Sequence, residues 1–486
     1  MNVKQYKSIS THILKSLLIF IFILMATPCF AAKWFEYESL HFKVISDKKR
    51  KESAQELIAL EKFRQAAFIV TGIEKVEEKE RLKIFVLSKK NYKKIFPHAG
   101  AAGFYIDSFL GSYMVIGPAS ETEDTAITLR HEYVHHLLHS QTHRHIPKWY
   151  DEGLADLLST AIIKESGVTI GKPHPWRQPS ISQGRLISFT DLLIPGNFLQ
   201  DSSYSSAYYA TAWLATHYFI LGTLNGVDLS GVNLNRYLDA FNNGHHSPFE
   251  FEKLIGRTVK SLNKELKVYG SIRQKSGINI PVKINKQDIK TRRLSKNEHL
   301  FELASIALAL GDTATAEALT SRAKKGRPNY GKALALHLYL KSLNDTAPLA
   351  QQLSEAIPLI DSPEASAFIA AALLATLKDG NKTIEQAKQL ALTVTVNQPH
   401  NLYAYQTLWQ AAELQGNSID SLKYMQTAYE LAPSNIALNL LLGEKLLLST
   451  SPEQALPHLT KVVTWAHSAQ QAQKAAELLQ QLQKEN

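Results

Sequence analysis

The sequence predicts an α+β domain followed by an all-α solenoid. Three observations carry this reading. Short β-rich runs alternate with helical patterns through the first part of the chain, as in His41 to Ile45, Glu52 to Val70 and Leu82 to Leu87. From residue 297 the strand signal fades and Ala, Leu and Gln dominate, with a recurring period of 34 residues. The 486 residues exceed the length of one ordinary domain, and 45% hydrophobic with 20% charged residues suit folded modules.

The first 32 residues read as an export signal. Lys4, Lys7 and Lys15 precede an apolar run from Leu17 to Ala26 and a small-residue site at Ala31-Ala32. Cleavage after Ala31 or Ala32 is expected, with an uncleaved anchor as the alternative. Cys29 is the only cysteine, so a cleaved chain has no disulfide, thiol nucleophile or thiolate ligand. These features place the protein in a bacterial periplasm or cell envelope, or outside the cell. No later stretch is long and apolar enough to be a transmembrane segment. The formal net charge is +10, three of those charges coming from Lys4, Lys7 and Lys15. The runs Lys48 to Lys51 and Lys89 to Lys94 read as solvated faces or as contacts to anionic envelope surfaces. Nothing calls for nucleic acid.

The module from 33 to 270 is organised around one motif. In the amphipathic helix from Glu52 to Val70, Leu57, Leu60, Phe63 and Ala67 share a face. Gly100 and Gly103 mark a turn or loop before a strand at Tyr113 to Ile116. A helix follows, with a capping box at Ser120 and Glu123 and with Glu121, Glu123 and Asp124 in its first turn. It carries His131-Glu132-Tyr133-Val134-His135. Two imidazoles four apart lie on one helical face and can reach one ion. Glu132 sits beside that face, placed to take a proton from a zinc-bound water, whose pKa falls to about 7. Pro147 is read as the first residue of a second helix. That helix carries Glu152, the third ligand, which leaves one position open for water. Asp156, one turn on, either fixes the tautomer of His131 or His135 or pairs with Lys or Arg. His136, His139, His143 and His145 read as mostly solvated, and of these His139 is the rival ligand.

His131-Glu132-x-x-His135 followed by Pro147-x-Trp149-x-x-Glu152-Gly153-x-Ala155 resembles the gluzincin metallopeptidases, and among them the compact peptidase-MA-like domains. The metzincin pattern fails at Leu138 and Gln141. The resemblance spans roughly residues 35 to 270 and implies a zincin-like fold, zinc, Glu132 as general base and a peptide or protein substrate. It implies that Ser112 to Ile116 is the edge strand that pairs with substrate, against the alternative of an ordinary sheet strand. It also aligns Tyr209, within Tyr204 to Trp213, as a donor to the oxyanion; the alternative is a core aromatic. The remainder of the module is read as an irregular 164–202 segment with a short helix at Ser188 to Leu193. That segment either walls the cleft or is a surface excursion. Helical patterns at 207–222 and 234–241 and a last helical part at 249–269 complete it.

Residues 271 to 296 read as a linker. The repeats then fall at 297–330, 331–367 (degenerate), 368–401, 402–435 and 436–469, with a capping helix at 470–484. Small residues recur at Ala316, Ser421 and Ala455 and at Ala323 and Ala428, with Ala387 in register; prolines recur at Pro328, Pro399 and Pro433. This resembles a tetratricopeptide array, which implies a concave face for a protein partner. The combined expectation is an exported zinc metallopeptidase. The alternative is a non-catalytic adaptor that keeps a metal-binding peptidase fold.

Overall fold

Buried apolar residues on both faces of the strands dictate a sheet covered on both sides. The computed structural model describes residues 33–486 except 49, 74–80, 98–101, 118–123, 142–144, 195–201, 244–246, 284–288, 326–330, 345–348, 361, 377–380, 467–468 and 486. In chain order, its first part comprises β1 (Phe35–Glu38), β2 (Phe42–Ser46), α1 (Arg50–Thr71), β3 (Leu82–Val86) and α2 (Lys89–Ile95). Next come β4 (Gly103–Ser108), β5 (Gly111–Ile116), α3 (Thr125–Gln141) and α4 (Lys148–Ser159). They are followed by β6 (Ile162–Lys164), β7 (Gly167–Ile170), α5 (Gln178–Ser182), α6 (Phe189–Leu193) and α7 (Ser202–Leu221). Then come α8 (Leu234–Asn242), α9 (Pro248–Ile255), α10 (Val259–Ser271), β8 (Ile278–Ile280) and β9 (Lys290–Arg293).

Six strands form one mixed sheet in the order β4-β5-β3-β2-β1-β9. The β2–β3 and β3–β5 pairs are parallel; the others are antiparallel. Successive strand residues face opposite sides. Val44, Ile84, Val86, Met114 and Ile116 therefore join Leu57, Leu60 and Phe63 of α1 and Tyr133, Val134 and Leu137 of α3 in one core. Ile45, Phe85, Tyr113 and Val115 face the other way and share a core with Leu300, Phe301 and Leu303 of the first repeat helix. Strands buried on both faces read as continuous apolar runs, as Ile84 to Leu87 and Tyr113 to Ile116 do.

Several sequence expectations change here. The expected edge strand, β5, lies inside the sheet; β4 is the edge, because the β4–β5 hairpin folds outward past it. Gly103 opens β4 instead of marking a loop; Gly100, Ser120, Glu121 and Glu123 lie outside the described residues. The helical part expected at 249–269 consists of two helices, separated where Gly256 turns left-handed at φ 73°. The segment expected to be irregular contains β7 and the last residue of β6, and these two strands with β8 make a three-stranded sheet. The expected linker holds β8 and β9, and β9 zips onto β1 from Phe35↔Arg293 to Glu38↔Lys290.

The rest is helical: α11 (Lys296–Ala309), α12 (Thr313–Lys324), α13 (Gly331–Asn344), α14 (Leu349–Ala356), α15 (Pro363–Ala375) and α16 (Asn381–Asn397). The array continues with α17 (Leu402–Leu414), α18 (Ser418–Leu431), α19 (Ile436–Leu447), α20 (Leu456–Trp465) and α21 (Ala469–Glu485). Successive helices pair, and the recurring small residues are fully buried: Ala316, Ala323, Ala387, Ser421, Ala428 and Ala455. Small side chains let the paired helices approach closely. Gly311 and Gly416 occupy equivalent left-handed turns at φ 79° and 70°, which favour glycine. The third pair begins at Pro363, five residues before the expected 368, because Ser362 caps α15. Among the described residues, no helix is long and apolar enough to cross a membrane.

Candidate metal centre

Two packed helices build the centre. In α3, His131 and His135 stand one turn apart, with ring centroids 4.8 Å apart. Pro147 is the N-cap of α4, one residue outside the expected helix start. From α4, Glu152 faces both rings. His131 Nε2 and His135 Nε2 are 3.1 Å apart. Glu152 Oε2 lies 3.4 Å from the first and 3.5 Å from the second. Tetrahedral ligands about 2.0–2.1 Å from zinc would be about 3.3–3.4 Å from one another. The triangle of ligand atoms therefore fits that ion.

Carboxylates set both tautomers. His131 Nδ1 lies 3.0 Å from Asp156 Oδ1, and His135 Nδ1 lies 2.8 Å from Asp151 Oδ1. Each Nδ1–H donates to its carboxylate, which leaves a lone pair on each Nε2. Two lone pairs and an anionic oxygen thus converge, an arrangement that a cation stabilises. Without a metal, a proton takes that part. Burial opposes charging His131, but hydrogen bonds to Asp156 and Glu152 outweigh it and raise its pKa to about 9. His135 moves the same way: burial opposes the shift, and the charges of Asp151 and Glu152 overcome it.

The sequence reading missed four residues around this centre: Asp151, Lys148, Arg177 and His174. Asp151 orients His135; its adjacency to Glu152 was the available signal. Lys148 donates to Glu152 Oε1 at 2.8 Å and to Asp151 Oδ2 at 3.2 Å, one helical turn before them. Burial would raise the Glu152 pKa, but the Lys148 charge and the histidines hold it well below the usual range. Arg177 donates from Nε to Asp156 Oδ2 at 2.6 Å and from a terminal nitrogen to Oδ1 at 3.2 Å. Buried His174 stands 3.4 Å from the same carboxylate. Both open possibilities for Asp156 are therefore realised together. The 164–202 segment is more than a surface excursion, since it delivers His174 and Arg177.

Glu132 stands beside the ligands, and its Oε2 accepts from the Tyr105 amide of β4 at 3.0 Å. Tyr209 lies on α7 with the Arg177 guanidinium over its ring, 4.7 Å from the centroid. Glu152's charge, then burial, raises its pKa well above the usual phenol value, so the hydroxyl stays protonated. Tyr208 is the fully buried neighbour. His139 does not join the triangle; its Nε2 meets Asp151 3.3 Å away, and its ring stacks on Trp465 of α20 with centroids 4.5 Å apart. His136 and His145 are buried instead of solvated, because Tyr105 covers one and Phe241 and Trp465 the other. His143 lies outside the described residues.

Gly153 sits where α4 meets α7. A Cβ there would collide with the Ala212 carbonyl oxygen and Thr216 Oγ1. A backbone carbonyl cannot rotate aside, so Gly153→Ala is expected to cost about 1–3 kcal/mol through overpacking. Denaturant unfolding checks this; an unchanged midpoint would mean that the two helices separate freely.

No protein-family model matches the chain, and no curated protein matches it. The solved structures that show likeness include two of one protein. "MamA RS-1 ArsTM double mutant" is 20% identical, with a TM-score of 0.26, over 35% of this chain and 93% of that one. "MamA 41-end from Desulfovibrio magneticus RS-1" is 20% identical, with a TM-score of 0.26, over 35% of this chain and 94% of that one. The repeat architecture therefore rests on the helix pairing described above.

Proposed function

We propose that the chain is an exported zinc-dependent peptidase of gluzincin type, with repeats that bind substrate or partner proteins. One observation carries the reading: three ligand atoms converge at tetrahedral spacing while carboxylates pin the outer nitrogen of each imidazole. His131, His135 and Glu152 would hold zinc, which when bound supplies a Lewis acid that acidifies water and polarises a carbonyl. Glu132 takes the proton of the attacking water and passes it to the leaving amine. The Tyr105 amide steadies that carboxylate. Lys148 keeps Glu152 ionised. Tyr209, protonated, donates to the oxyanion. An extended peptide pairs with the free edge of β4.

The test is hydrolysis of a quenched fluorescent peptide library by purified protein, stopped by a chelator and restored by zinc. In the same assay, Tyr209→Phe is expected to lower turnover by 10- to 1000-fold, with zinc content and stability unchanged. Unchanged turnover would return Tyr209 to a packing role. A metal-loaded protein that cuts nothing would favour the adaptor reading.

A further inference from the structure

The geometry points to a closed end in the substrate groove: the turn between α18 and α19 walls it off beyond Tyr105, so the enzyme cuts close to a chain terminus. The inference rests on the peptidase reading and adds the substrate's length to it.

Strand alternation identifies the free edge. The Tyr105 amide points at Glu132, away from β5, so Tyr105 and Asp107 present their backbone groups on the same open side. Asp107 lies about 7 Å further along, at about 3.3 Å per residue. Its carbonyl already accepts from Asn435 Nδ2 at 3.4 Å. Asn435 belongs to the turn that enters α19. From the same turn, Ser434 Oγ donates to the His139 carbonyl at 2.6 Å, near the end of α3. The turn therefore spans from the strand side of the groove to its helix side.

The wall is braced from behind. Lys461 Nζ and Asn439 Nδ2 both donate to the Pro433 carbonyl, at 2.9 and 3.0 Å. Asn439 Nδ2 also donates to the Asn435 carbonyl at 2.8 Å. Ser434, Asn435 and Asn439 are buried. Beside them, Trp465 stacks on His139 and donates from Nε1 to the Ile146 carbonyl at 2.9 Å. At the hairpin tip, Phe109 packs edge-on against Trp409 with centroids 5.5 Å apart. A peptide strand on β4 thus has room for about two residues between the cutting point and the wall.

The experiment maps cut positions by mass spectrometry, using a mixture of synthetic 15-residue peptides and the full wild-type chain. Cuts are expected within about three residues of one terminus, the same terminus in every peptide. Cuts spread evenly through the interior would overturn the wall while leaving the peptidase intact. A zinc-loaded protein that cuts no peptide would overturn the peptidase reading and the wall with it. Asn435→Gly frees the Asp107 carbonyl, and glycine is tolerated at a helix N-cap. It is expected to raise kcat/KM about tenfold for peptides one residue longer on the walled side, relative to the shortest. An unchanged length preference would overturn the assignment to Asn435.

Discussion

Glu132→Gln is expected to lower kcat by 10²- to 10⁴-fold while zinc stays bound, because general-base catalysis contributes on that scale. The substitution is conservative where it stands. An amide oxygen still accepts from the Tyr105 N–H, so β4 keeps its contact with α3. What is lost is the capacity to take the proton of the attacking water. Turnover of a quenched peptide, zinc content and thermal midpoint, measured on one preparation, separate these effects. Wild-type turnover in the variant would remove Glu132 from the chemistry.

Removing the Asp156 carboxylate is expected to act on both metal and fold. It holds His131 Nδ1 at 3.0 Å and Arg177 Nε at 2.6 Å, and it is buried. Asp156→Ala leaves Arg177 without its buried partner, a loss worth about 3–5 kcal/mol. It also frees the His131 ring, which costs about 10- to 100-fold in zinc affinity. Burial alone would raise the Asp156 pKa, but Arg177 and His131 hold it well below the model-peptide value of about 3.9. The carboxylate's contribution is therefore complete above about pH 4 and is lost as pH falls further. Thermal melts at neutral pH and competitive zinc titration check both effects. Unchanged zinc affinity would show that His131 is oriented by something else.

Local geometry was legible in the sequence wherever it is set by helical spacing. His131, His135, Glu152 and Asp156 lie at i, i+4 intervals, and the fold brings all four together. The recurring small residues of the repeats were legible for the same reason, because a close helix contact demands them at fixed positions. What escaped is set by long-range pairing. Nothing local in Lys290 to Arg293 marks a strand, since β1 supplies its partner groups from the far end of the domain. Nor could spacing reveal that Tyr113 and Val115 pack against the repeats, or that Trp465 reaches His139. The repeats consequently looked like a separate appendage, whereas they cover one face of the sheet and reach the helix that carries His131 and His135. Arg177 and His174 were hidden in a segment rich in Pro and Gly, where periodicity is silent.

The central claim is that His131, His135 and Glu152 form one zinc site. Metal content of purified wild-type protein and Glu152→Ala, by elemental mass spectrometry side by side, tests it most directly. The expected result is about one zinc per chain in the wild type, lost or strongly weakened in the variant. Wild-type protein without zinc, even after incubation with the metal, would contradict the account.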